Sequence, residues 1–310
     1  MTLHAPARDD TRTIVTRGAR RRSHRSARAD RATRETPVKR ILYVTAGVIA
    51  SLVFLVPLLL AVVRALQPHA VVTSAPDPAT FFQWTTENFA QLASQSGLGR
   101  SVGNSLIVSL STAVLTAFVA TLAGYGFAKF RSRWLPWLFG LVLVTMMIPF
   151  QAILTPLYIE MNALGLTDSL LGLVLFYTTV NLPFCVFVMR NAFEAIPDEL
   201  EQAALIDGAT TPRMLASVLR PLIMPGVATS ALYAFLASWT EFLGALTFLT
   251  DQDLYTLPVA MVNMQQGSYG QINFGLIAAG AVVAMIPCVI LYISLQRFYV
   301  AGLASGSIKG

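Results

Sequence analysis

Charged residues are scarce in this sequence. Asp, Glu, Lys and Arg make up 12% of the 310 residues, whereas hydrophobic residues make up 55%. A soluble domain usually carries about 25% charged residues, because most of its surface faces water. The composition therefore excludes an ordinary soluble domain and places the chain in a lipid bilayer.

Histidine and cysteine are also sparse, which argues against catalysis. His4, His24 and His69 lie outside the long apolar runs, so no buried imidazole is available as a base or metal ligand. Cys185 and Cys288 stand in separate apolar runs, a pattern typical of packing residues. The sequence contains no GxxxxGK(S/T) phosphate-binding loop. We therefore expect no enzyme activity and no cofactor or metal site in this chain, and a partner must supply energy for any uphill work.

Uncharged runs of about twenty residues predict six membrane-spanning helices. The fifth run is interrupted only by Glu241, and a polar cluster at 265–271 marks a loop before the sixth. The predicted spans are 41–63, 101–128, 134–159, 169–189, about 222–250 and about 273–295. The expected fold is an all-α polytopic membrane protein with six transmembrane helices.

The uneven distribution of basic residues predicts the orientation of these spans. Most arginine and lysine residues lie in the tail up to residue 40 and in the connections after the second and fourth spans, and Arg297 and Lys309 follow the sixth. The remaining connections hold only Arg64 and Arg100. Positive charge close to a span tends to stay in the cytoplasm. Both termini and the connection at 191–221 are therefore predicted to be cytoplasmic.

The basic tail, residues 1–40, has three possible roles: a targeting signal, a nucleic-acid-binding arm or a tether to anionic lipid. The apolar run that follows is as long as a full span, which disfavours a cleaved signal peptide. Nucleic-acid binding is disfavoured because the tail has no aromatic residue before Tyr43. We expect a disordered tail that fixes topology and touches the inner leaflet.

The segment ELEQAALIDGAT, residues 199–210, is polar although it lies between two apolar spans. Pro197 suits the start of a helix and Gly208 its end, which predicts a helix of about ten residues. Thr211 predicts the cap of a second helix, which must end just before Pro221. From these residues alone, docking to a soluble protein and an amphipathic connector on the bilayer surface are equally favoured.

A longer pattern in this region resembles a known family. The motif E-x-A-A-x-x-D-G-A is formed by Glu201, Ala203, Ala204, Asp207, Gly208 and Ala209, and VLRPLIMPG follows it. Together with SWTEFLGAL, YTLPVAM and the terminal QRFYVAGLASGSIKG, it resembles the permease subunits of ATP-binding-cassette importers, in particular sugar permeases of the maltose-transporter type. The resemblance runs from about Tyr43 to Gly310. In one departure, Gln202 stands where a strict EAA triplet has its acid, which here lies one place earlier.

The resemblance implies that the predicted helix is a coupling helix, which inserts into a groove on a cytoplasmic ATPase. The residues implied in this contact are Glu201, Ala203, Ala204, Asp207 and Gly208, with Ser307 and Lys309 of the C-terminal tail as further ATPase contacts. A frayed polar end is the alternative for that tail. The implied partners are a second permease of similar fold, two copies of the ATPase, which bind ATP and Mg, and an extracytoplasmic solute-binding protein that delivers a sugar. The implied location is the bacterial cytoplasmic (inner) membrane.

Two residues of the SWTEF segment are candidates for the translocation pathway. Glu241 is the only ionisable residue within a predicted span, and charge inside a membrane is costly enough to indicate function. The resemblance places this segment on the pathway, whereas a snorkelling acid is the alternative. Trp239 could stack on a sugar ring, although aromatic residues in spans more often pack or anchor the interface.

The acidic loop, residues 250–256, is a second candidate contact site. Its residues Asp251, Gln252, Asp253 and Tyr255 correspond to the segment that, in the maltose-type transporters, reaches into the binding protein. A solvated turn is equally favoured.

The sequence is accordingly divided into a tail (1–40), a first span with its extracytoplasmic loop (41–100), a permease core (101–297) that contains the 191–221 loop, and a C-terminal tail (298–310). The expected function is a permease subunit of an ATP-driven, binding-protein-dependent carbohydrate importer. A related importer for a non-sugar solute such as glycerol phosphate is the alternative. A secondary transporter would need more intramembrane charges and internal repeats, and a structural or sensor protein would not need a lever helix.

Overall fold

The computed structural model describes residues 37–68, 83–94, 97–265 and 273–306, and all regular structure in these ranges is helical. The expected all-α fold is therefore confirmed. The basic tail up to residue 36 and the predicted ATPase contacts Ser307 and Lys309 lie outside the described residues.

The described helices are α1 (Pro37–Ala65), α2 (Glu87–Ser94), α3 (Leu98–Lys129), α4 (Leu135–Thr145), α5 (Phe150–Ala163), α6 (Leu170–Glu194), α7 (Asp198–Ile206), α8 (Thr211–Met214), α9 (Arg220–Thr240), α10 (Leu243–Phe248), α11 (Leu257–Gln265) and α12 (Phe274–Gly306). A π-helical turn at Leu215–Leu219 joins α8 to α9, and a 3₁₀ turn at Gln252–Leu254 precedes α11. Two compact units divide the chain, Met1–Leu60 and Ala61–Gly310. The first consists, where described, of α1 up to Leu60.

Five of the described helices are long and apolar enough to cross a membrane. They comprise Ile41–Ala65, Leu98–Lys129, Leu170–Glu194, Pro212–Thr240 and Phe274–Gln296. A sixth crossing is present if the bent pair α4 and α5 counts as one span. The predicted spans at 41–63, 101–128, 169–189 and 273–295 therefore coincide with long apolar helices, while the cytoplasmic location of the termini stays a prediction.

The predicted third span, 134–159, is not one straight helix. It consists of α4 and α5, whose axes differ in direction by 99°. Pro149 precedes α5 with an extended backbone ψ of 129°. A proline has no N–H for the helical ladder and disfavours the helical conformation at the residue before it, which is consistent with a break of the helix at this position. Length and apolarity predicted the span but not its break.

The predicted fifth span, 222–250, is also corrected. The helical segment starts earlier, because α8 begins at Thr211 and continues through the π-helical turn into α9. It ends at Thr240, where Glu241 adopts an extended conformation with ψ 129°. A separate short helix, α10, then covers Leu243–Phe248. Glu241 therefore lies at a helix break and not inside a continuous span.

Close contacts among α3, α6 and α9 form the centre of the second unit. A Cβ atom on Gly124 of α3 would lie 2.6 Å from Met189 Cβ of α6, and one on Gly226 of α9 would lie 2.8 Å from Ala192 Cβ of α6. Small residues at these crossings let the backbones approach closely, which is how helices gain packing energy in lipid. The buried face of α3 also carries small polar residues at helical spacing, including Ser105, Ser109 and Thr112.

Candidate coupling and translocation sites

Helix α7 closely matches the helix predicted from its terminal residues. It follows Pro197 and carries three acids in its first turn, where the helix dipole favours negative charge. At the other end, the amides of Gly208 and Ala209 donate to the carbonyls of Leu205 and Ala204, each at 3.0 Å. This is the Schellman arrangement, and it requires a left-handed residue, which Gly208 supplies with a φ of 78°.

Lys129, the last residue of α3, holds the start of α7. Its Nζ lies 3.0 Å from Asp198 Oδ1 and 2.9 Å from Glu201 Oε1, and donates to the carbonyl of Ile196 at 3.1 Å. The Lys129 side chain is only 8% exposed and that of Glu201 14%. The hydrogen bond and charge of Lys129 lower the pKa of the exposed Asp198 carboxyl below its ordinary value. The loop helix is thus fastened to a membrane-spanning helix by a partly desolvated ion pair.

The residues of the E-x-A-A-x-x-D-G-A motif face two directions. Ala204 is buried in a cluster with Met214 and Leu219, so its small size permits close packing inside this chain. Glu201 is likewise held within the chain by Lys129. The other predicted coupling residues, Ala203, Asp207 and Gly208, are exposed. Apolar side chains join them on the exposed surface: Leu200, Leu205 and, with 85% of its surface exposed, Ile206.

The second helix of the loop starts at Thr211 as predicted, but the prediction that it ends before Pro221 is wrong. The backbone widens into a π-helical turn at Leu215–Leu219, where Arg220 N donates to Leu215 O, and α9 then continues through the proline. A proline ring ordinarily crowds the carbonyl four residues earlier, and a π turn is one way for a helix to accommodate such an irregularity. The loop is therefore continuous with α9.

The Glu241 carboxylate caps α10. It accepts hydrogen bonds from the Gly244 amide at 2.9 and 3.0 Å and from the Ala245 amide at 3.3 Å. The Tyr177 hydroxyl of α6 donates to Glu241 Oε2 at 2.6 Å. A Cβ on Gly244 would lie 2.8 Å from that oxygen, which explains the glycine. The carboxylate therefore stabilises the break between α9 and α10, and its role in a translocation pathway stays a prediction.

Trp239 packs inside the chain. Its side chain is 3% exposed, its ring stacks on Phe235 with centroids 5.7 Å apart, and its Nε1 donates to the carbonyl of Ala284 at 3.1 Å. In this conformation the indole offers no face on which a sugar ring could stack. The residue joins α9 to α12, and this arrangement corresponds to the packing role that was the alternative for Trp239.

The acidic loop is fixed at its base, and its predicted contact residues point outward to different degrees. Asp251, Gln252 and Asp253 are exposed, whereas Tyr255 is half-buried. Asp168 Oδ1, just before α6, accepts hydrogen bonds from the amides of Thr250 and Asp251, both at 2.9 Å. These two donors lower the pKa of the Asp168 carboxyl below its ordinary value.

Helix α3 holds the other side of the acidic loop. Asn104 Nδ2 donates to the carbonyls of Asp253 and Tyr255, at 2.9 and 3.1 Å. Arg100 forms an exposed ion pair with the Asp253 carboxylate. The loop is therefore presented by α3 and α6 together, and contact with a binding protein stays a prediction.

Comparison with known sequences identifies the family. The sequence model of the family described as "binding-protein-dependent transport system inner membrane component" matches residues 117–304, more than half of the chain. The chain belongs to this family. It is thus a multi-pass inner-membrane permease subunit of the ATP-binding-cassette importer type, and the resemblance found in the EAA-like motif is confirmed.

Individual relatives of the permease are transport proteins of similar length. It is 36% identical over 235 residues to the sulfoquinovosyl glycerol transport system permease protein SmoH of Agrobacterium fabrum, covering 75% of this chain and 82% of that protein. It is 30% identical over 281 residues to the trehalose/maltose transport system permease protein MalG of Thermococcus litoralis, covering 89% and 99%. The trehalose transport system permease protein SugB of Mycobacterium tuberculosis is 36% identical over 207 residues, covering 67% and 76%.

The fold of the permease is also found in solved structures. A chain of a bacterial ABC transporter involved in import of the acidic polysaccharide alginate superposes with a TM-score of 0.72 at 21% identity, covering 86% of this chain and 99% of that chain. This likeness shows the shared fold.

Sequence reasoning missed the residues that hold the permease's candidate sites in place. Lys129 could have been noticed, because it is one of three lysines and ends a long uncharged run. Asn104, Asp168 and Tyr177 carry no such signal, since their partners lie at least 64 positions away in the chain. These contacts become visible only in the fold.

Proposed function

We propose that this permease forms half of the translocation pathway of a carbohydrate importer and that the 191–221 loop couples it to a cytoplasmic ATPase. The substrate class is supported by relatives whose names specify trehalose, maltose and maltodextrin. The observation that carries the coupling role is the fastening of α7 to α3 by Lys129, with exposed apolar residues at the opposite end of the same short helix.

The geometry supports α7 as a lever. A push on its exposed end reaches α3 through the Lys129 ion pairs, which resist displacement because they are partly desolvated. It also reaches α9, since α8 and the π-helical turn run into that helix without a break. Two membrane helices can therefore move with one loop, as rigid-body switching between inward-facing and outward-facing states requires.

The complete importer would contain a second permease of similar fold, two ATPase subunits that bind ATP and Mg, and a solute-binding protein. A solved relative of this fold is an alginate transporter in complex with a periplasmic protein that binds an alginate pentasaccharide, with a TM-score of 0.60. The acidic loop is our candidate for the binding-protein contact, and Ser307 and Lys309 remain candidates for ATPase contact.

Coupling can be tested by placing a charge on the exposed end of α7. Ile206→Glu should weaken retention of the ATPase subunit on affinity-purified permease, because an exposed apolar anchor in a protein groove is replaced by a charge that resists burial. The matched control is Leu164→Glu, which alters a similarly exposed residue at the end of α5, outside the loop. Equal ATPase retention in both variants, with the permease folded, would refute α7 as the docking element.

The substrate class needs a separate test in proteoliposomes that contain the full set of co-encoded subunits. ATP hydrolysis stimulated by the binding protein should rise with a neutral oligosaccharide and remain at its basal rate with glycerol phosphate. The opposite pattern would reject the carbohydrate assignment and leave the coupling proposal standing.

A further inference from the structure

A cavity of about 490 Å³ lies where the ends of α3, α4 and α6 meet. Its wall contains Arg131 and Arg133, from the connection after α3, and Arg190, near the end of α6. Arg190 is almost sixty positions after Arg131 and Arg133 in the sequence. The fold therefore brings basic residues from two distant parts of the sequence together on one wall of the cavity.

The charge of this wall is only partly compensated. Arg190 is already engaged, because its guanidinium lies 4.2 Å from the Phe139 ring centroid and 2.6 Å from Glu194. The Arg131 side chain is 95% exposed, and its nearest carboxylate is 3.9 Å away on Asp198, which Lys129 holds more closely. Among the described residues that line the cavity, none is acidic. Arg131 and Arg133 consequently retain donors for an anion.

The rest of the wall is apolar and aromatic. Phe127, Phe130, Leu135 and Phe139 line the cavity. Trp134 is exposed beside Arg133, whose guanidinium lies 5.1 Å from its ring centroid, and Trp137 in the first turn of α4 is 78% exposed. Exposed tryptophans beside basic residues at the end of a membrane helix are typical of the headgroup region. Further along α4, exposed Leu138 and Leu141 offer a surface for acyl chains.

We propose that this cavity binds the phosphate-bearing headgroup of an anionic phospholipid, with Arg131 and Arg133 as the ligands and the exposed face of α4 as the acyl-chain surface. Basic pockets between membrane helices bind anionic headgroups by charge-assisted hydrogen bonds. A free phosphate offers the same chemistry to the arginines, but it would leave the aromatic and aliphatic wall unused.

The test is competition between phosphatidylglycerol and phosphatidylcholine of identical acyl chains for the purified complete transporter, read by native mass spectrometry. Arg131→Gln and Arg133→Gln should each lower the preference for phosphatidylglycerol about fivefold, which corresponds to about 1 kcal/mol per basic residue near an anionic surface. Arg213→Gln is the matched control, because it removes one exposed arginine in α8, outside the cavity, and should leave the preference unchanged.

Three results would overturn the proposal. An equal loss in Arg213→Gln would indicate general attraction of anionic lipid to positive charge. An unchanged preference in both cavity variants would mean that the cavity binds no headgroup, as expected if the ATPase covers it in the assembled transporter. The third result has two parts: inorganic phosphate releases the bound phosphatidylglycerol, and it binds to lipid-free protein as tightly as phosphatidylglycerol binds. This result would assign the site to free phosphate.

Discussion

At the scale of single residues, the permease uses a few polar side chains to fix segments that are far apart in sequence. Lys129 is the clearest case, because it donates to the Asp198 carboxylate and the Ile196 carbonyl and forms an ion pair with Glu201 from a position that is almost fully covered. A lysine so covered is costly unless its charge is paired, so these contacts indicate that Lys129 positions the loop helix.

Lys129→Met should loosen α7. Removing a hydrogen bond to a charged group costs about 1.5–3 kcal/mol, so the amides of α7 should exchange with deuterium about 10-fold to 100-fold faster than in the wild type. Arg131→Met is the control, since its contact with Asp198 is long and exposed and should change exchange less than about twofold. Unchanged protection of α7 in Lys129→Met would show that the ion pairs do not hold the helix.

Asp168 makes the base of the acidic loop sensitive to acid. The amides of Asp251 and Thr250 lower the pKa of its carboxyl, so its stabilising contribution is fully present above the ordinary value of 3.8 and is lost as the pH falls through the lower folded value. We expect deuterium exchange at residues 250–251, corrected for intrinsic rates, to rise as the pH falls below the ordinary carboxyl pKa of 3.8. Asp168→Asn keeps an acceptor oxygen without the titration, so it should abolish this rise; a rise of equal size would assign it to another group.

At the scale of the elements, the lengths of the helices follow from the sequence but their breaks do not. The apolar run 134–159 is bent by 99° at Pro149, yet α9 passes through Pro221 after a π-helical turn. The same residue type therefore ends one helix and is accommodated in another. A widened turn before Pro221 accommodates the irregularity that the proline introduces, whereas the backbone at Pro149 is extended.

The crossing of α3 and α6 yields a prediction with an internal control. Gly124→Ala places a Cβ within 2.6 Å of Met189 Cβ and 2.8 Å of the Arg190 amide, so the two helices must separate. Overpacking of this kind costs about 1–3 kcal/mol, and the Tm of the purified permease should fall by about 2–4 °C for each kcal/mol. Gly126→Ala, two residues further on, meets its nearest atom at 3.9 Å and should be neutral or stabilising, because alanine favours helix. Equal Tm values for both variants would exclude close packing at Gly124 as a determinant of stability.

At the scale of the whole molecule, contacts between residues far apart in sequence hold the two candidate contact surfaces, the acidic loop and the 191–221 loop, in place. The acidic loop is held by Asn104 of α3 and by Asp168, just before α6. Asn104 bonds to a residue 149 positions later in the sequence, and Asp168 bonds to a residue 82 positions later. The 191–221 loop is held by α3 through Lys129, 69 positions before Asp198. Helix α3 therefore connects both surfaces.

Asn104→Ala should release the acidic loop more than Arg100→Ala does. The asparagine is buried, and its loss removes the donor of two part-buried hydrogen bonds, each of which contributes about 0.5–1.5 kcal/mol. The Arg100 ion pair is exposed and contributes little. Faster deuterium exchange in the acidic loop of Asn104→Ala is the expected readout. A larger effect in Arg100→Ala would assign the anchoring to the ion pair.

The sequence by itself determined the membrane location, the approximate limits of most spans, the ends of α7 and the family. These depend on local properties: the length of an apolar run must match the hydrocarbon thickness, and a proline or glycine acts on its own turn. The tertiary structure alone decided that Ala204 and Trp239 are buried, that Glu241 caps a helix beside Tyr177, and that three arginines share one cavity. Burial and pairing of a polar group depend on side chains from distant segments, so no local pattern records them.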